Sequence, residues 1–172
     1  MKKIILITIF LNSMMVNAQD LKESVSLKKN ELKGNALFLV LGAAEFGYER
    51  LLNEDTGLGV AVFFVQNSDT NPLFSLTPYY RAYFGKKPAA GFFVEGFSML
   101  NSGVNYNRSY ENQYIMVKDS YSDLALGFGL GSKWIHKKGF LLEINAGIGR
   151  NLLSNDSPKL VGRLGISLGY RF

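Results

Sequence analysis

Over its last thirteen residues the chain alternates with a period of two. Leu160, Gly162, Leu164, Ile166, Leu168, Tyr170 and Phe172 fall on even positions, and Val161, Arg163, Gly165, Ser167, Gly169 and Arg171 on odd ones. A β-strand turns successive side chains to opposite faces, so this segment has one apolar face and one polar or very small face. The same split separates Phe140, Leu142, Ile144, Ala146 and Ile148 from Leu141, Glu143, Asn145, Gly147 and Gly149. It also separates Leu124, Leu126, Phe128 and Leu130 from Ala125, Gly127, Gly129 and Gly131. Applied upstream, the pattern predicts strands at 89–100, 74–84, 57–66, 45–52 and 35–42, eight in all. Residues 35–52 also read as one long strand running through Ala43 and Ala44, which gives seven, a count that bacterial single-chain barrels avoid.

The predicted connections alternate in length. Residues 53–56, 85–88 and 136–139 are short and rich in turn formers, whereas 66–73, 101–123 and 153–159 are longer and more polar. Short turns at one end and long loops at the other are the pattern of an eight-stranded antiparallel up-and-down transmembrane β-barrel, with periplasmic turns and extracellular loops. An even strand count returns both termini to the periplasmic side. A soluble lipocalin-like carrier is the rival of similar size. Such a carrier clothes its outside in Lys, Glu, Thr and Gln, but here the polar face is dominated by glycine with isolated charges. Glycine suits an interior just wide enough to be filled by side chains, which makes the Leu/Ile/Phe face the lipid face.

Parity then assigns Glu45, Glu49, Arg81, Glu95, Lys133, Glu143, Arg163 and Arg171 to the lumen, four acids against four bases. A charged path for a narrow solute pore is one reading, because ionisable groups at membrane depth are functional candidates. A salt-bridged plug is the reading preferred, since eight strands leave little room for water and an unpaired buried charge is very costly. Aromatic residues gather at the turn end of the outer face: Phe84, Trp134, Phe140, Tyr170 and Phe172. They are expected to form an interfacial girdle.

The N-terminus reads as a targeting segment. Met1-Lys2-Lys3 is a basic start, Ile4 to Leu11 a short apolar run, and Val16-Asn17-Ala18 carries small residues where a signal peptidase cuts. Residues 1–18 are therefore expected to be a cleaved signal peptide, 19–34 a short periplasmic segment, and 35–172 the barrel domain. The 19 Lys and Arg against 14 Asp and Glu are scattered along the chain and give no nucleic-acid signature. The absence of cysteine removes thiolate chemistry and Cys-ligated metals.

Three stretches carry a resemblance: Leu76-Thr-Pro-Tyr-Tyr-Arg-Ala-Tyr-Phe84, Gly91-Phe-Phe-Val-Glu-Gly-Phe97 and Gly147-Ile-Gly-Arg-Asn151. Over roughly residues 33–172 the chain resembles the domain of unknown function 3575 family of small exported bacterial proteins. The resemblance implies a signal peptide and a β-rich outer-membrane body, and supplies no catalytic residues. The ending, with Tyr170 two residues before terminal Phe172, is similar to the signal by which outer-membrane barrels are handed to the barrel-assembly machinery. That machinery and outer-membrane lipid are the partners expected.

A lipid-modifying outer-membrane enzyme would need Ser, His and a carboxylate within hydrogen-bond reach. The single histidine, His136, sits in a predicted turn. Ser132 is four residues away, about 13 Å along a strand, and Glu143 points to the other face. No catalytic residue, cofactor or metal site is assigned on this basis. The segment from Asn101 to Asp123 carries Tyr106, Arg108, Tyr110, Tyr114 and Tyr121 among Asn and Ser, a composition suited to an extracellular contact loop. In the blander reading it is a projecting hairpin continued by Ile115, Met116 and Val117. The role inferred from sequence is a non-enzymatic structural or surface-recognition protein of the outer membrane.

Overall fold

Each strand of the chain finds its antiparallel partner in its sequence neighbours, and the last returns to the first. The computed structural model describes residues 28–65, 72–109, 115–154 and 157–172. In chain order the elements are β1 (Asn30–Asn35), α1 (Ala36–Val40), β2 (Ala43–Leu51), β3 (Thr56–Val65), β4 (Phe74–Tyr83), β5 (Gly91–Ser109), β6 (Ile115–Ile135), β7 (Phe140–Asn151) and β8 (Leu160–Arg171). They form a closed barrel in the order β1 to β8. The seam between first and last strands is sealed by reciprocal bonds, Asn30 N–H to the Phe172 carbonyl at 3.1 Å and Phe172 N–H to the Asn30 carbonyl at 2.8 Å. Closure leaves the wall without a free edge there, the condition for crossing a bilayer with strands.

The alternation resolves with the apolar face outward. On β6, Leu126, Phe128 and Leu130 are exposed while Lys133 is buried; on β8, Leu160, Leu164, Ile166 and Leu168 are exposed while Arg163 and Arg171 are buried. This arrangement is the inverse of a water-soluble barrel.

The lumen is filled by pairing large side chains with glycine across the ladder. Tyr79 lies opposite Gly59, Phe97 opposite Gly127 and Phe93 opposite Gly131. A Cβ on Gly127 would overlap the Phe97 ring and press on the Ile148 carbonyl, and one on Gly131 would overlap Phe93. The aromatic ring lies over the bare backbone of its glycine partner, so both fit inside a narrow barrel. Ala61, Tyr79, Phe97, Met99 and Ala125 form one buried apolar cluster, and Leu51, Tyr83, Ala89 and Phe93 a second at the turn end. The β4–β5 turn folds in to complete that floor: Ala89 is fully buried with a φ of 44° and donates its N–H to the Glu54 carbonyl at 2.6 Å.

Two boundaries differ from the sequence reading. The first strand is Asn30–Asn35 and not 35–42, so the barrel wall begins inside the segment assigned to a periplasmic N-terminus, and Ala43 and Ala44 open β2. The reason is local: the Asn35 side chain accepts from the Phe38 N–H and caps α1, which converts the apolar run after it into a helical turn that ends at Gly42 with a φ of 81°. The long polar segment from 101 to 123 is mostly strand, because β5 and β6 stay paired from Asn101↔Asp123 out to Ser109↔Ile115. Residues 1–18, expected from the sequence to be a signal peptide, lie outside the described residues.

Gly127→Val is expected to block closure, at a cost of about 1–3 kcal/mol or more for overpacking. Gly96→Val, on the outer face with nothing within 4 Å of its Cβ position, should be tolerated. The fraction that migrates as folded barrel on an unboiled denaturing gel separates the two.

The charged lumen as candidate functional site

The inward parity of seven strands gathers ionisable side chains into one column. β1 supplies Glu31 and Lys33, β2 supplies Glu45 and Glu49, β4 Arg81, β5 Glu95, β6 Lys133, β7 Glu143, and β8 Arg163 and Arg171. All but Glu45 are buried. At the turn end Arg171 donates to Glu31 at 2.8 Å and grips the carbonyls of Pro88 and Ala89 at 2.9 and 2.8 Å, tying the last strand to the floor. Lys133 pairs with Glu31 at 2.6 Å and with Glu49 at 3.3 Å. Lys33 joins Glu49 at 2.6 Å to Glu143 at 2.9 Å.

Glu49 is the hub. It accepts from Lys33, Lys133, Arg81 at 3.0 Å, the Tyr79 hydroxyl at 3.3 Å and the Tyr83 hydroxyl. Arg81 links the hub outward, with Nη1 on Glu143 at 2.8 Å and Nε on Glu95 at 2.8 Å. Its guanidinium is held between the rings of Tyr79 and Phe93, 4.3 Å from each centroid, a placement favoured by the ring quadrupoles. Arg163 continues the column from Glu95 at 2.8 Å. Glu45 stands apart, half-buried, and accepts from Asn35 Nδ2 at 3.3 Å.

Counted together, five carboxylates face five bases. Taking such groups out of water costs several kcal/mol each, and only multiple short partners offset it. The network is built that way, with carboxylates such as Glu31, Glu49 and Glu143 shared between bases.

The eight residues assigned inward by parity all sit on inward-facing positions, and the structure joins seven of them by ion pairs. Glu31 and Lys33 were missed because they precede the expected start of the barrel. Their signal was present in the run Glu31-Leu32-Lys33-Gly34-Asn35, which alternates as cleanly as any later strand. The phenols of Tyr79 and Tyr83 were also missed, since parity reveals a face but not a bond. Phe84, Trp134, Phe140, Tyr170 and Phe172 are exposed on the outer wall at the turn end, with Phe140 and Tyr170 edge-to-face at 5.4 Å.

The tyrosine-rich segment divides. Tyr121 faces inward opposite Gly103 and is buried, so it is not a contact-loop residue. Tyr106 and Arg108 lie on β5, where only the backbone is described, and Tyr110 and Tyr114 lie outside the described residues. His136 forms the β6–β7 turn, its Nδ1 accepting from the Lys138 N–H at 3.3 Å.

At the loop-end rim, beyond the apolar stretch of β6 that starts at Leu124, Asp123 organises the β7–β8 connection. It accepts from the N–H groups of Leu124 at 2.6 Å, Leu153 at 2.9 Å and Ser154 at 3.0 Å, and from the Ser157 hydroxyl. Partial desolvation raises its pKa, but the Ser157 and backbone bonds outweigh that and bring the carboxyl down to about 2.

A family model described as a protein of unknown function, DUF3575, matches residues 4–161. The chain belongs to the DUF3575 family. Among solved structures, this DUF3575 barrel matches the N-terminal β-barrel domain of Pseudomonas aeruginosa OprF with a TM-score of 0.55 and 12% identity, covering 84% of this chain and 98% of that one. The outer membrane protein Ail of Yersinia pestis, determined in a phospholipid bilayer nanodisc, matches with a TM-score of 0.42 and 15% identity, covering 84% and 99%. The OprF likeness is one of fold, a closed eight-stranded antiparallel barrel. No curated protein matches the DUF3575 chain.

Two outcomes are expected for this DUF3575 barrel. Glu49→Gln removes the charge that Lys33, Arg81 and Lys133 share, leaving each cation only its remaining carboxylates, and should cost about 3–5 kcal/mol, read as a lowered urea midpoint. Asp123 has a depressed folded-state pKa, so its contribution is complete above the unfolded value near 3.8 and is lost as pH falls toward about 2. Wild type should therefore lose its stability advantage over Asp123→Asn across that window, measured by urea unfolding at stepped pH.

Proposed function

We propose that this protein resides in an outer membrane as a barrel closed to solutes, with a non-enzymatic role as a structural or surface-recognition element of the envelope. The observation that carries the proposal is the pairing of a continuous apolar outer wall with a charge-filled lumen. Exposed Leu58 and Phe64 on β3, Leu126 and Phe128 on β6, and Leu164 and Leu168 on β8 would present water with an apolar surface larger than soluble monomers tolerate, whereas lipid accommodates it at no such cost. The outward aromatics Phe84, Trp134, Phe140, Tyr170 and Phe172 support an interfacial position for the turn end. The start of β1 and the end of β8 belong to that end, which is the periplasmic side after signal-dependent export, and β8 with its terminal Phe172 is the segment offered to the barrel-assembly machinery.

Against a solute path stands the packing of the lumen: the cavity along the column amounts to about 20 Å³, room for roughly one water. Recognition is assigned to the opposite end. There β5 and β6 run as a two-stranded ribbon past the last β4 contact at Phe74↔Ser102, a projection of seven residues or about 23 Å.

The protein is expected in the outer-membrane fraction, with faster migration before boiling than after, and in planar bilayers it should give no discrete conductance steps. Recovery as a soluble periplasmic protein without a heat shift would overturn the location. Reproducible steps that change on replacing Arg81 would overturn the closed lumen.

A further inference from the structure

The two ends of the barrel differ in charge. The short turns at 53–56, 85–88 and 136–139, with the two residues before β1, hold six lysines against two acids, whereas the long segments at 66–73, 101–123 and 153–159 hold five acids against three bases. Lys28, Lys29, Arg50, Lys86, Lys137 and Lys138 at the turn end are all exposed, and none of them forms an ion pair among the described residues.

Placement distinguishes these bases from ordinary surface lysines, because they follow directly on the aromatic girdle. Lys28 lays its Nζ over the Tyr170 ring, 5.3 Å from the centroid and 3.5 Å from the hydroxyl. Gly139, in the turn that carries Lys137 and Lys138, abuts the same ring. Lys86 and Lys138 stand two residues beyond Phe84 and Phe140, whose rings pair along the outer wall with Phe92 at 6.2 Å and Tyr170 at 5.4 Å. Arg50 follows Phe46 and Tyr48 on the outward row of β2. Two residues span at most about 7 Å, and the headgroup layer is about 5–7 Å thick on each side of a bilayer. With the girdle at interfacial depth, the ammonium groups therefore reach the lipid phosphates.

We propose that the turn-end rim is a binding surface for anionic phospholipid headgroups, held as an annulus one step beyond the girdle. Clustered bases at a membrane surface attract anionic lipid, and lysine stems can lie along apolar wall while the charge stays in the headgroup layer. An annular partner fits the distribution, since the cations occupy the β8–β1 seam, the β4–β5 turn and the β6–β7 turn, which lie on different sides of the rim. A wall polymer or protein docking from below would meet them only in part, and it would not account for Lys28 turning against the outward Tyr170 ring. The inference deepens the membrane reading above and rests on it.

Trp134 is the single tryptophan of the chain and is exposed on the outer wall of the β6–β7 hairpin, so its fluorescence samples the lipid beside the rim. The full chain would be refolded into phosphatidylcholine vesicles containing equal fractions of either brominated phosphatidylglycerol or brominated phosphatidylcholine, with bromine close to the headgroup. At about 0.01 M salt the phosphatidylglycerol should quench with an apparent constant about threefold larger, and the preference should vanish at about 1 M salt, where the screening length is about 3 Å. Replacing Lys28, Lys86, Lys137 and Lys138 together by Gln should make the two lipids equal, whereas Arg150→Gln with Lys159→Gln at the loop end should leave the preference in place. A preference that survives the fourfold replacement, or one lost equally in the loop-end variant, would overturn the proposal. So would co-sedimentation with isolated peptidoglycan that the four lysines control while the two lipids quench alike, which would assign the rim to a wall polymer. Equal quenching by both lipids in a heat-shifting wild-type barrel refutes the rim alone, whereas quenching by neither, or failure to insert, refutes the membrane reading.

Discussion

A charge inside an eight-stranded barrel must be met by its opposite at short range, and the rest of this structure is arranged around that requirement. Glu49 shows the consequence most directly, because three cations and two phenols converge on it from β1, β4 and β6. Those partners meet only in one register. A one-residue slip of a charge-bearing strand would turn its charges to the outer face and its apolar residues into the lumen. The ion network and the strand register therefore specify one another, and the specificity of the barrel follows from a cost of mispairing that runs to several kcal/mol per group.

Space is the second constraint and is met by a different device. Tyr79, Phe93 and Phe97 cannot share a narrow lumen with side chains opposite them, so Gly59, Gly131 and Gly127 stand across the ladder. The same rings hold Arg81 and Arg163 in place. Apolar filling and ionic pairing are thus interleaved along the axis. The turn end is sealed twice, by the buried Ala89 floor and by Arg171, which binds that floor through Pro88 and Ala89 while pairing with Glu31. The layout explains how a lumen lined with charge contains so little open volume.

The departures from a regular wall collect at the opposite end. There the wall changes from strand to helix at α1, the ribbon of β5 and β6 leaves the barrel, and Asp123 holds the β7–β8 connection through backbone donors. The hydrogen bonds follow the same division, since among the described residues the one buried side-chain atom without a partner, Asn101 Oδ1, lies toward the loop end beside Asp123.

The alternation of side chains determined the fold class, the strand directions, the outward-facing residues and the inward set from Glu45 to Arg171, because a period of two is a local property of the backbone. Local sequence also held the start of β1, had Glu31-Leu32-Lys33 been read as strand. What it could not supply was partnership. That Glu49 receives Lys33, Arg81 and Lys133, that Tyr121 turns inward, and that α1 replaces strand in the wall depend on which residues closure brings side by side. Closure is set by the register of every strand at once, so those facts exist only in the tertiary structure.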